Sequence, residues 1–245
     1  FSQVSENPRT TEVDAGVSMY RERGCEGILA IGGGSPMDCA KGIAILSTNG
    51  GIIQQYEGID QIRHMGPPLI CIPTTAGSSA DVSQFAIITD QEKLRKFGII
   101  SKTIIPDVSL VDPNLLSTLP QKFIRYCGFD ALTHAIEAYV STGSSSLTDL
   151  HALEAIRMIG EALPVAYHER GNREAARLMM LGSLHAGLAF SNASLGLVHA
   201  MAHPLSGLYD LPHGEANSLL LPAVIRYNYP SAQAQYDRIG EILGA

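Results

Sequence analysis

The chain has 245 residues, 45% of them hydrophobic and 17% charged, with a formal net charge of -7, which is the composition of a globular protein of one or two domains. An acidic balance without a Lys/Arg run or an aromatic-rich basic stripe excludes a nucleic-acid footprint and attraction to an anionic membrane surface, leaving small molecules as partners. Cys25, Cys39, Cys71 and Cys127 lie scattered without C-x-x-C spacing, which argues for a reducing, cytoplasmic compartment rather than a disulfide framework or a thiolate metal cluster.

In chain order, residues 11–23 read as a helix and residues 27–31 as a short apolar strand that runs into the turn GGGSP. A helix follows over residues 37–46, with Pro36 at a first helical position and Asp38 in the first turn. Three glycines let the backbone turn sharply and approach a ligand, and the free N–H groups of the helix start favour an anion such as a pyrophosphate. The stretch lacks the G-x-G-x-x-G spacing, and a tight turn with a serine cap explains it equally well. A second strand, residues 69–73, ends in the hydroxyl-rich loop TTAGSSADVS, and two such loops at adjacent strand ends favour a phosphate and ribose cradle. Further apolar runs over residues 83–89, 97–101 and 108–111 fit buried parallel strands. Lys96 is within reach of a phosphate, or else solvated.

The texture changes near Asp112. Residues 122–139, 147–163, 172–190, 196–205 and 216–227 all carry three-to-four-residue apolar spacing, and no strand pattern interrupts them. The expectation is an α/β unit over residues 1–112 followed by a helical unit over residues 113–245, with chemistry in the cleft between. The chain opens at Phe1 and stops at Ala245 within the amphipathic stretch YDRIGEILGA, so it reads as a fragment. No part of it reads as a signal peptide or an 18-residue apolar span.

In GFDALTHAIEAY, Asp130 and His134 stand four apart on one helical face in apolar surroundings. The later stretch GLVHAMAHPLSGLYDLPHGEAN places His199, His203 and His213 close together. Buried imidazoles without partners are costly, so a bound cation is the economical explanation: Asp130, His134 and two of the three later histidines would supply one carboxylate and three imidazoles. His199 and His203 share a helix face and either can ligate, while a loop around Pro212 and Gly214 brings His213 back. Oxygen and nitrogen donors suit Fe²⁺, Zn²⁺, Mn²⁺ or Co²⁺. The competing explanation is that these histidines cap helices or bond carbonyls. His64, His151, His168 and His185 read as surface or capping groups, Glu137 and Glu154 as helix-face residues, and Met179 and Met180 as core filler. Asp210 and Glu215 are either partners of the ligands or solvated loop carboxylates, and Phe129 and Leu132 are candidate pocket residues.

Through GGGSPMDCAK, PTTAGSSADV, SLVDP, GFDALTHAIEAY and the histidine stretch, the chain resembles the iron-dependent, group III alcohol dehydrogenases over essentially its whole length. The resemblance implies a dinucleotide-binding α/β domain with a parallel sheet and an all-α metal domain, a dehydroquinate synthase-like architecture. It implies Fe²⁺, or Zn²⁺, held by Asp130, His134, His199 and His213, with His203 unligated beside the substrate, and NAD or NADP met by Gly33, Gly34, Ser35, Asp38, Thr74, Thr75, Ser83 and Lys96. The implied activity is oxidation of an alcohol or reduction of an aldehyde. In the implied mechanism the ion would act as a Lewis acid that lowers the alcohol's pKa, hydride would pass to the nicotinamide, and His203 would relay the proton or else pack against a ligand. A homodimer or larger assembly is implied as well. The family usually has Thr-Gly-Ser-Glu where this chain has Ser78, Ser79, Ala80 and Asp81, and its members are longer, with the NAD/NADP-discriminating segment before Phe1. Two other readings stay open: a zinc polyol dehydrogenase of the same architecture, which would use fewer histidines, and a non-catalytic metal or nucleotide sensor.

Overall fold

The computed structural model describes residues 1–209 and 211–244. They form two compact units, Phe1–Pro73 with Ala80–Leu110, and Thr74–Ser79 with Val111–Ala245.

The first unit contains α1 (Thr10–Glu22), β1 (Ile28–Gly32), α2 (Gly34–Asn49), β2 (Gly58–Ile59), β3 (Leu69–Pro73), β4 (Phe85–Asp90), β5 (Arg95–Ile100) and β6 (Val108–Ser109). β1, β3 and β6 form a parallel sheet in which Leu29 lies opposite Ile70 and Ile70 opposite Val108. Ala30, Leu69 and Cys71 pack on Met37 and Ala40 of α2, while Leu29, Ile31, Ile70 and Val108 are exposed on the other face. The ends of β1 and β3 are neighbours, Gly32 beside Pro73, so the two candidate loops do leave adjacent strand ends. Gly32 has φ +150°, and a Cβ there would lie 2.7 Å from Pro36 Cγ, so the turn into α2 requires glycine. Helix α2 starts at Gly34 with Gly33 as its N-cap, two residues ahead of the proline expected at its first position, and no serine side chain caps it.

The second sheet corrects the expectation of parallel strands. β4 and β5 pair antiparallel, Phe85 opposite Ile100, and β2 adds parallel to β5. Residues 91–94 are all that connect β4 to β5, far short of the dozen or so residues a parallel crossover needs. Asp90 Oδ1 closes the turn by accepting from the N–H groups of Glu92 and Lys93. Ala86, Ile88, Phe97 and Ile99 from this hairpin pack with Val13, Val17, Ile43 and Leu46 of α1 and α2.

The second unit carries α3 (Gln121–Val140), α4 (Ser146–His168), α5 (Arg173–Ala193), α6 (Leu197–Tyr209), α7 (His213–Asn228) and α8 (Gln233–Leu243). Ser145 and Thr148 form a reciprocal capping box at the start of α4, and Asn172 Oδ1 accepts from Ala175 N at the start of α5. The core is built largely from small and aliphatic side chains, among them Ala131, Ala135, Ala155, Ile156, Ile159 and Ala186, which let α3, α4 and α5 approach closely. Phe129 and Leu132 pack into this core, as do Met179 and Met180. Two boundaries differ from expectation. Helix α6 runs through Pro204 to Tyr209, and His213 is not in a loop but is the first residue of α7, with Pro212 as N-cap. Proline's fixed φ suits a helix even though its missing N–H removes one bond. Among the described residues no helix is long and apolar enough to cross a membrane.

Candidate metal centre

Three helices of the second unit bring three predicted imidazoles to one oxygen of the predicted carboxylate. Asp130 Oδ1, on α3, lies 3.8 Å from Nε2 of His134, one turn further along, 3.6 Å from Nε2 of His199 on α6, and 3.8 Å from Nε2 of His213 on α7. These separations are too long for hydrogen bonds. They are close to the roughly 3.4 Å that separates two donors each about 2.1 Å from a shared tetrahedral ion, so the donor set fits a divalent cation. One donor atom each from Asp130, His199 and His213 lies within 4.8 Å of the other two. His134 joins through its contact with the same carboxylate oxygen and stacks between Phe190 (4.3 Å between centroids) and His199 (4.5 Å). Asp130, His134 and His199 are buried, while the His213 side chain is 28% exposed and marks the open side. His203, one turn beyond His199, has its ring 5.1 Å from that of His213.

The electrostatics are those of a site that lacks positive charge. Burial alone would raise the Asp130 carboxyl, yet His134, His199 and His213 together hold it well below the usual carboxylate range. Burial pushes His134 down to about 4 and His213 down to about 3, so at neutral pH both rings are uncharged with a lone pair to offer. His199 goes the other way: burial would lower it, but the Asp130 carboxylate beside its ring and the hydrogen-bonded Glu137 carboxylate outweigh burial and raise it to about 9.

Two further side chains complete the cluster. Glu137 is buried; its Oε2 accepts from His199 Nδ1 at 2.6 Å and its Oε1 from the Val198 N–H at 2.6 Å. Asn217 Nδ2 donates to Asp130 Oδ1 at 2.7 Å and lies 3.2 Å from His199 Nε2, while its own Oδ1 has no partner.

In the first unit, Gly33, Gly34, Ser35 and Asp38 gather at the start of α2. The Asn7 N–H donates to Ser35 Oγ at 3.2 Å and Lys96 Nζ donates to Asn7 Oδ1 at 2.8 Å, so one asparagine ties Ser35 to Lys96. Asp38 Oδ2 accepts from Ile87 N. Ser83 is buried, with both its carbonyl and its hydroxyl on Lys41 Nζ. Thr74 and Thr75 follow directly on β3, are half-buried, and group with the helical unit. In the loop that departs from the resembled pattern, Ser79 has φ +52° and is held by a hydrogen bond from its Oγ to Ser183 O at 2.6 Å, while Asp81 Oδ2 accepts from Ser109 Oγ. A cavity of about 520 Å³ in the helical unit, lined by Leu116, Ile124, Cys127 and Met179 among others, contains none of the clustered histidines.

Residues 1–113 match the family model for iron-containing alcohol dehydrogenase, and residues 124–245 match the model for the C-terminal part of the same family. The chain belongs to the iron-containing alcohol dehydrogenase family. It is 43% identical over 244 residues to a 1,3-propanediol dehydrogenase of Klebsiella pneumoniae, an alignment that takes in 100% of this chain and 63% of that protein. The crystal structure of a 1,3-propanediol oxidoreductase superposes with a TM-score of 0.98 at 43% identity, covering 100% of this chain and 64% of the other. Sulfoacetaldehyde reductase from Bifidobacterium kashiwanohense, in complex with NAD⁺, superposes with a TM-score of 0.88 at 32% identity, covering 100% and 70%. The chain therefore spans less than two thirds of the length of the propanediol relatives.

Within this member of the iron-containing family, the sequence carried a signal for Glu137 that the reading of it as a helix-face residue passed over. Asp130, His134 and Glu137 are spaced i, i+4, i+7 and so share one face of α3, and Asn217 stands four residues after His213 on α7. A polar residue one turn beyond a buried ligand candidate is placed to support it. His151 and His185 are also not surface caps: their Nδ1 atoms are 2.9 Å apart, joining α4 to α5. Glu154 pairs with Arg157 at the surface. Asp210 lies outside the described residues.

Proposed function

We propose that the whole protein is a metal-dependent, NAD(P)-dependent alcohol dehydrogenase or aldehyde reductase acting on a small alcohol or its aldehyde. The observation that carries this reading is the meeting of three imidazole Nε2 atoms on one buried carboxylate oxygen, Asp130 Oδ1. Support also comes from the alcohol dehydrogenase family to which the chain belongs and from the NAD⁺ complex of a 32% identical relative. In this reading residues 1–112 bind the dinucleotide and residues 113–245 form the metal domain.

Asp130, His134, His199 and His213 hold the ion, with Fe²⁺ the resident metal and Zn²⁺ the alternative. When bound, the ion supplies Lewis-acid polarisation of the alcohol oxygen. The rest falls to the chain itself. Free N–H groups at Gly33, Gly34 and Ser35 receive the cofactor's pyrophosphate where α2 begins, and Asp38, Thr74, Thr75, Ser83 and Lys96 shape the ground around it. His203, beside the half-open His213, takes up the proton released from the alcohol and passes it outward. Apolar packing around α3, α5 and α6 keeps water from the buried carboxylate. The setting is cytoplasmic and the assembly a homodimer or larger.

Oxidation of primary alcohols and diols is the test, using the whole protein stripped of metal and reloaded with Fe²⁺ or Zn²⁺, each with NAD⁺ and with NADP⁺. Turnover with at least one pairing is expected; none with any pairing rejects the activity. Metal analysis of Asp130→Ala and His213→Ala tests the ligands directly. Each variant is expected to retain less than about a tenth of the wild-type metal, and wild-type content in either removes that residue from the set.

A further inference from the structure

We infer that Glu137 is a positioning residue that fixes which nitrogen of His199 is available to a metal ion, an inference that rests on the metal-centre reading above. An imidazole has two nitrogens and, when neutral, one proton, and only the bare nitrogen ligates. The ring of His199 has its Nδ1 2.6 Å from Glu137 Oε2 and its Nε2 3.6 Å from Asp130 Oδ1. A carboxylate at Nδ1 can only accept, so it keeps a proton there and leaves Nε2 as the nitrogen that a cation uncovers. Asn217 Nδ2, 3.2 Å from Nε2, agrees with this tautomer, since an amide N–H faces a lone pair there.

The setting of Glu137 is built for a carboxylate. It is 4% exposed, and both its oxygens are engaged by neighbours on α6, Val198 N and His199 Nδ1, more than sixty residues away in sequence. A Cβ on Gly196 would lie 2.8 Å from Glu137 Oε1, so the chain leading into α6 leaves room for that oxygen. Because Glu137 and Asp130 both stand on α3, one helix grips the His199 ring at both edges. The simpler role, a carboxylate that only caps the first turn of α6 through Val198 N, predicts a different outcome on substitution. Glu137→Gln keeps an oxygen for Val198 N but presents an N–H group to Nδ1. That drives the His199 proton to Nε2, where a metal must displace it to bind, while the cap survives.

The experiment combines metal affinity with a tautomer signature. The metal-free whole protein is titrated with Zn²⁺ and Co²⁺ against a competing chelator, as wild type, Glu137→Gln and Glu137→Asp, and the His199 ring nitrogens are read by ¹⁵N NMR before and after Zn²⁺. Glu137→Gln is expected to weaken metal binding about 10- to 100-fold and to move the His199 proton from Nδ1 to Nε2, with Glu137→Asp recovering most of the affinity. In the wild type, Zn²⁺ is expected to shift Nε2 and leave Nδ1 protonated. Binding by Glu137→Gln within twofold of wild type, with the Nδ1 proton retained, overturns the inference and leaves the metal centre standing. A Zn²⁺-induced shift at Nδ1 in the wild type overturns it even if the glutamine variant does not fold. Failure of the wild type to take up either metal removes the metal-centre reading itself and this inference with it.

Discussion

Lys41 is the most buried long side chain of the first unit, with no exposed surface, and it is held by three oxygens: Ser83 O at 2.8 Å, Phe85 O at 2.7 Å and Ser83 Oγ at 3.4 Å. Burial lowers its pKa, while Asp38, Cys71 and Asp81 draw it back up. Lys41→Met removes every donor and leaves two carbonyls and the Asp38 charge without their partner, so a loss of about 3–5 kcal/mol is expected in urea unfolding of the α/β unit. An unchanged midpoint would show that the ammonium only fills space. Asp38 itself is pushed by burial up to about 6, against the opposing pull of Lys41 and of the Ile87 N–H. Its folded pKa stands above the roughly 3.9 of an unfolded aspartate. The stability it contributes is therefore complete below about pH 4 and is lost as the pH rises through 6. The ¹³Cγ signal of Asp38 is expected to titrate with a midpoint near 6, and a midpoint near 4 would contradict its burial. At this scale the sequence was readable for ligand candidates such as Asp130 and His134, because residue type and helical spacing are local. It was silent on Lys41, since a lysine's text does not say whether two carbonyls and a hydroxyl surround it.

Between elements, the contact that sets the metal centre is the approach of α7 to α3. A Cβ on Gly214 would lie 2.0 Å from the Tyr126 carbonyl oxygen and 2.6 Å from its carbon, and backbone cannot rotate aside as a side chain can. Gly214→Ala must push α7 away and take the adjacent His213 with it. The expected cost is about 1–3 kcal/mol or more in thermal unfolding, together with lost metal content. Gly207 on α6 has nothing within 4 Å of its would-be Cβ, so Gly207→Ala is expected to be neutral or to stabilise by about 0.5–1 kcal/mol through helix propensity, with full metal content. Equal behaviour of the two variants would remove helix approach as the reason for Gly214. Helices were legible within a few residues from apolar periodicity, whereas their ends were not. α6 passes through Pro204 and α7 starts at His213 because packing of their buried residues outweighs local punctuation. The pairing of β4 with β5 was decided by a connection too short for any crossover, a length the sequence does display.

For the molecule as a whole, a metal held at a buried cluster with two carboxylates, Asp130 and Glu137, and the uncharged rings of His134 and His213 would stabilise the folded state. A ligand that binds only the folded state at a hundred times its Kd stabilises it by about 2.7 kcal/mol. In a chain of this size that corresponds to an upward shift of about 5–10 °C in the transition that involves the helical unit. Calorimetry of metal-loaded and chelator-treated protein should show this shift in the wild type and none in Asp130→Ala. A shift of equal size in Asp130→Ala would place the stabilising ion elsewhere.

The sequence by itself determined the residue types at the centre, the helical faces on which Asp130 and His134 stand, and the glycine turn at Gly32, because each depends on neighbours a few residues away. Only the tertiary structure decided that Nε2 atoms from α3, α6 and α7 meet at Asp130 Oδ1, and that Glu137 reaches His199. It likewise decided that His151 faces His185 across α4 and α5. Periodicity says which residues share a face, but which faces meet is settled by the packing of segments tens of residues apart, a balance of many small contacts that no short stretch contains.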